Sequence, residues 1–111
     1  LLAPPSRSLA TPDPAHIHTV SLPGPGSAIR LYTAHDVRRI AIRVVSPAGT
    51  FGVFATDPAT LTPDTTAVPT GAVYIVPVGA SEEIHLQPGQ ALFGRGSASG
   101  VVASVFSAAT R

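Results

Sequence analysis

Residues 83 to 107, EIHLQPGQALFGRGSASGVVASVFS, carry the pattern that decides the fold. Ile84 and Leu86 alternate with Glu83, His85 and Gln87. That period of two gives a strand one buried and one wetter face. Pro88 presets the first central position of a turn and Gly89 takes the positive φ that a type II turn requires, so the chain reverses there. The runs QALFGR and VVASVFSA read as two further short strands, and GSASG at 96 to 100 reads as the connection between them. The expectation is a hairpin through Pro88-Gly89, closed by a third strand.

The same period holds on moving outward. In RRIAIRVVS, residues 38 to 46, Ile40, Ile42 and Val44 alternate with Arg39, Ala41 and Arg43. AHIHTV, SAIRLYTA, TFGVFAT and AVYIVPV are short runs enriched in β-branched or aromatic residues, separated by PGPG at 23 to 26, SPAG at 46 to 49 and PVGAS at 77 to 81. Eight strands emerge, and no amphipathic segment of ten or more residues lies between them to serve as a crossover helix. The fold expected is all-β, an antiparallel β-sandwich or jelly roll of about eight short strands with an extended N-terminal arm.

That arm is residues 1 to 14, LLAPPSRSLATPDP, and residues 15 to 111 form a single β-sandwich domain. Pro4, Pro5, Pro12 and Pro14 remove backbone donors and fix φ, which disfavours both helix and central strand. Leu1, Leu2 and Leu9 are too sparse for a core. Together with Arg7 they form an apolar segment suited to ordering against a partner. The arm has neither the basic start nor the long apolar centre of a secretory signal. The longest connection, residues 57 to 70, is expected to project from the sandwich, with Leu61 as a further partner contact. Asp57 can cap a short helical turn there, with Pro58 at its first position.

Composition narrows the function classes. A chain of 111 residues fits one domain that buries about two-thirds of its unfolded surface. There is no cysteine, so neither disulfides nor thiolate metal sites contribute. Charged residues are 12% of the chain and the net charge is +1, far from the concentrated basic face of a nucleic-acid binder. No apolar run approaches the roughly 20 residues that span a bilayer as a helix. All seven basic residues are Arg, the cation enriched at protein interfaces, where Lys is depleted. Phe51 and Phe54 are three residues apart and must face opposite sides of one strand, so their sheet is expected to be covered on both faces.

No catalytic or cofactor-binding residues are read from the sequence. His16 and His18 share one strand face about 7 Å apart at the Cα atoms, within reach of one ion. Two ligands fall short of a site, and His35 and His85 lie in other segments. The pair invites comparison with the cupins, but no Glu follows His18 closely and QPGQALFGRG lacks the downstream His of the second cupin motif, so that metal chemistry does not carry over. A cupin-like metal-dependent enzyme using His16 and His18 is the alternative reading, beside a small ligand- or glycan-binding module using Tyr32 or Tyr74. His35-Asp36 and Glu82-Glu83 are sequence neighbours whose side chains diverge, which suits neither a triad nor opposed acid and base carboxylates. The glycines of GRGSASG precede a β-like run, so they do not feed a helix N-terminus as phosphate-binding loops do.

Across residues 38 to 107 the order of features resembles minor virion proteins of tailed phages. Those features are the RRIAIRVVS strand, the TFGVFAT strand, a Thr- and Pro-rich loop, GAVYIVPVGASEEIHL, and QPGQALFGRGSASGVVASVFS closing the sheet. The resemblance implies a non-enzymatic capsid decoration or minor head protein, located on the virion surface and in the host cytoplasm during assembly. Its implied partners are the major capsid protein or other virion subunits and further copies of itself, with neither nucleic acid nor membrane. Such proteins share no catalytic residues to transfer. A Pro-rich apolar arm would serve that role by laying Leu side chains across a neighbour, with proline limiting the ordering entropy.

Overall fold

The computed structural model describes residues 15–61 and 73–109, which leaves the expected arm and residues 62 to 70 of the 57 to 70 connection outside the described residues. The described residues form eight strands: β1 (His16–Leu22), β2 (Ile29–Thr33), β3 (Arg38–Ser46), β4 (Phe51–Ala55), β5 (Tyr74–Pro77), β6 (Ser81–Leu86), β7 (Ala91–Gly96) and β8 (Val101–Ala109). One 3₁₀ turn, Pro58–Thr60, follows β4. As expected, Asp57 caps it, its carboxylate accepting from the Ala59 N–H at 3.0 Å, and Pro58 occupies the first turn.

The strands make two four-stranded sheets, ordered β1-β8-β3-β6 and β2-β7-β4-β5. Every pairing within them is antiparallel. Seven consecutive strand-to-strand connections follow from this order, and the one from β4 to β5 alone stays within a sheet among the described strands. The others cross between sheets. Two nested Greek keys of this kind are a jelly roll.

The hairpin expected at Pro88-Gly89 is therefore corrected. The turn itself forms, with Gly89 at φ 89° and the Gln90 N–H donating to the Gln87 carbonyl at 3.0 Å. Yet β6 pairs with β3, and β7 lies in the other sheet between β2 and β4. The turn is held by β2's exit instead, where Gly89 N–H donates to Ala34 O and Ala34 N–H to Gln90 O, both at 2.8 Å. The 96 to 100 segment likewise bridges sheets. Gly96 N–H donates to Pro23 O at 2.7 Å, Ser97 N–H to Phe51 O at 2.8 Å and Gly100 N–H to Leu22 O at 3.1 Å. Turn residues dictate a local reversal; what they join depends on which strands bury each other's faces.

Alternation fills the space between the sheets. Ile40, Ile42 and Val44 of β3 meet Val101, Ala103 and Val105 of β8, with Ile84 and Leu86 of β6 beside them and Leu31, Phe54, Val76 and Leu92 from the facing sheet. Removing each large aliphatic or phenyl side chain from water is worth about 1.5–3 kcal/mol, and this continuous cluster is what holds the two layers together. Arg38 is in phase with Ile40 and is fully buried at the end of β3. Its Nε lies 3.1 Å from Asp36 Oδ1, and its guanidinium carbon is 5.7 Å from the Tyr32 ring centroid. Charge and ring together let a cation close that end of the core.

A second, smaller cluster lies on the opposite face of β4. Val53, Ala55 and Leu61 are fully buried there, with Ala28, Phe51, Val73 and Phe93 packed around them. Phe54 faces the main core and Phe51 this one, as their odd spacing requires. The sheet is indeed covered on both sides, but the described cover is the chain's own. Val53 and Ala55 would otherwise present an apolar face to water, and the start of the connection after β4, up to Leu61, turns down onto them; the rest of the segment expected to project lies outside the described residues. Leu61 is thus a core residue and is removed from the set of partner contacts.

Candidate interaction surface

Strand pairing fixes which side chains share the outer face of the β1-β8-β3-β6 sheet. Directly opposed residues of an antiparallel pair point the same way. Ile17 is opposite Phe106, Phe106 is opposite Ala41, and Ala41 is opposite Glu83. One row across the sheet therefore runs from an apolar pair at the β1 edge to a charged group at the β6 edge. Ile17 is 70% exposed, the most exposed of the large hydrophobic residues among those described. Phe106 beside it is half-buried.

The β6 end of this face is polar. Glu83 Oε2 lies 3.2 Å from His85 Nε2 and 3.7 Å from Arg39 Nε, with all three side chains about half exposed. Exposed pairs of this sort are worth little, roughly 0–1 kcal/mol, so they mark a solvated end of the sheet and not an anchoring point.

The partner contacts expected from the sequence divide accordingly. Leu1, Leu2, Arg7 and Leu9 lie outside the described residues. Leu61 is in the second core. The expectation that Arg serves at protein interfaces does not extend to Arg38 and Arg95, which are fully buried within the chain. Arg95 donates from Nη1 to the Gly96 carbonyl at 3.3 Å, and burial draws its guanidinium below the usual arginine pKa. Burial of Arg38 was legible in its phase with Ile40. Arg95 carried no such mark, since its face of β7 is covered only through tertiary folding.

His16 and His18 share one face, opposite Ser107 and Val105, and both are exposed at the start of β1. Their partners in a metal site are missing: among the described residues no group of three or more His, Asp or Glu side chains could hold an ion. His85 sits at the far edge, on β6, and pairs with Glu83. Tyr32 packs under Arg38, whereas Tyr74 is exposed on the β5 edge. The two tyrosines form no shared platform, because Tyr32 belongs to β2 and Tyr74 to β5, the opposite edges of one sheet.

Neither a family model nor a curated protein matches the sequence. A solved structure of a Bacillus endospore appendage, from a family of disulfide-linked pili, aligns over 87% of this chain and 88% of its own, at 10% identity and a TM-score of 0.48. The disulfide linkage is a property of that protein; the 111 residues here contain no cysteine.

Proposed function

We propose that the chain is a non-enzymatic structural subunit that works by covering surfaces of a larger assembly, with a tailed-phage virion shell as the assembly implied by the sequence resemblance. The observation that carries this reading is the division of labour between inside and outside. Most inward positions of the jelly roll are taken up by aliphatic side chains and Phe54, while an uncovered apolar residue, Ile17, stands on an edge strand beside Phe106. Contiguous exposed apolar groups mark contact surfaces, and here Ile17 adjoins Phe106 across the strand pair. Repetition on a lattice would multiply a modest contact by avidity. In this role residues 1 to 14 reach across a neighbouring subunit through Leu1, Leu2, Arg7 and Leu9, and the protein resides on the capsid surface after passing through the host cytoplasm.

Co-sedimentation with tailed-phage heads tests the reading. The full chain is expected to pellet with particles, and a chain lacking residues 1 to 14 is expected to stay in the supernatant with its β circular dichroism intact. A full chain that never associates with particles, or equal binding by the shortened chain, would overturn the shell assignment or the arm's part in it.

A further inference from the structure

Four strands lie at sheet edges among the described residues: β1 and β6 in one sheet, β2 and β5 in the other. Each edge presents a row of backbone N–H and C=O groups to any passing strand, and soluble proteins obstruct such rows with charges, proline, bulges or shortness. Three of the four are obstructed. β2 has five residues, carries Arg30 and breaks register between Arg30 and Tyr32. β5 has four residues and ends on Pro77. β6 carries Glu82 and Glu83, and Glu82, opposite Ile42, stands on the core-facing side of the strand while remaining exposed, so a second strand there would cover a carboxylate.

β1 has none of these obstructions. Its seven residues, HIHTVSL, pair with β8 without a break in register and include no proline, carboxylate, Lys or Arg. The first four are exposed, so both faces of the strand are open where an incoming strand would add.

We propose that β1 pairs edge to edge and antiparallel with β1 of a second copy of this chain. The inference rests on the reading of the chain as an assembly subunit and specifies one of its contacts. An antiparallel edge is complementary to itself under a two-fold axis, the commonest symmetry of soluble oligomers. The other three edges of a second copy are obstructed, which leaves its β1 as the matching surface. The arm is a poorer occupant, because its longest proline-free run is residues 6 to 11, shorter than β1. Pairing joins two four-stranded sheets into one of eight and places Ile17 of each copy against the partner's strand, extending the Phe106–Ile17 row. Since a one-residue slip would put inner side chains on the outer face, Ile17, Thr19 and Ser21 must each oppose an outer-face residue of the second copy.

Sedimentation of the full chain tests this directly. A dimer is expected, and Ile17→Lys is expected to weaken it by roughly tenfold or more, because like charges then meet at the joint. The thermal midpoint of the monomer should not change, as Ile17 is 70% exposed there. Ile75→Lys on β5 should leave the dimer intact. With no native cysteine, single Cys variants at Ile17, His18 and Thr19 give an independent reading: the position nearest the two-fold axis is expected to form an intermolecular disulfide, which needs Cα atoms within about 7 Å. A monomeric full chain, an Ile17→Lys dimer as tight as the parent, or cross-linking at Ile75→Cys in place of β1 would overturn the proposal. Particle binding without a dimer would sink this inference and spare the assembly reading. A dimer that binds no particle would do the reverse.

Discussion

The phenyl ring of Phe54 occupies the space in which Gly94 would carry a side chain. The two are directly opposed on β4 and β7, and a Cβ added at Gly94 would lie 2.7 Å from Cδ1 of that ring. A Cβ at Gly52, two residues before Phe54 on the same face, would meet the ring's far side at the same distance. The pair of glycines thus forms a slot that lets a fully buried ring lie flat against its own sheet.

Gly94→Ala is therefore expected to destabilise the fold by about 1–3 kcal/mol through overpacking. Combining it with Phe54→Leu should cost less than the sum of the two single changes, with a coupling of at least about 0.5 kcal/mol in a denaturation double-mutant cycle. Additive losses would show that the ring does not depend on the slot.

Leu61→Ala should cost about 2–4 kcal/mol, the penalty for emptying a fully buried leucine site. A surface contact would lose almost nothing in monomer stability. Urea unfolding separates the two, and an unchanged midpoint would return Leu61 to the outside of the molecule.

The Arg38–Asp36 pair should matter and the Arg39–Glu83 pair should not. Arg38 is fully buried, so Asp36→Asn replaces the carboxylate facing a desolvated guanidinium with a neutral amide and is expected to cost about 2 kcal/mol. Glu83→Gln removes one end of an exposed pair and should change stability by less than about 0.5 kcal/mol. Equal effects in thermal unfolding would contradict the burial argument.

Ser107 offers the opposite sign. Its hydroxyl is buried on β8 with no hydrogen-bond partner among the described residues. Ser107→Ala removes a desolvated polar group at little loss of volume and is expected to raise stability by about 1 kcal/mol. A loss of similar size would reveal a hydrogen bond the hydroxyl depends on.

Particular residues show where the sequence could be read and where it could not. The alternation around Ile40, Ile42 and Val44 and around Ile84 and Leu86 located strands and their buried phase, because a pleated strand translates spacing directly into facing. Asp57-Pro58 located the 3₁₀ turn for an equally local reason. Pro88-Gly89 located a reversal yet misled about what it joined. The hydrogen bonds that seat this turn come from Ala34, more than fifty residues earlier, and nothing within a turn of four residues encodes them. Leu61 was misplaced because nothing in its own loop shows that the chain folds back onto the outer face of β4, and Arg95 was missed because its cover comes from tertiary folding.

Local chemistry by itself determined an all-β chain of eight strands, their inner and outer faces and the positions of their turns, since φ preference and period-two burial act over a few residues. Tertiary structure alone decided that these strands nest as a jelly roll. It also decided that the start of the connection after β4 caps a second core and that β1 is the unobstructed edge among the described strands. Those outcomes depend on which apolar faces bury one another across the whole chain, and that competition is settled only when both sheets close together.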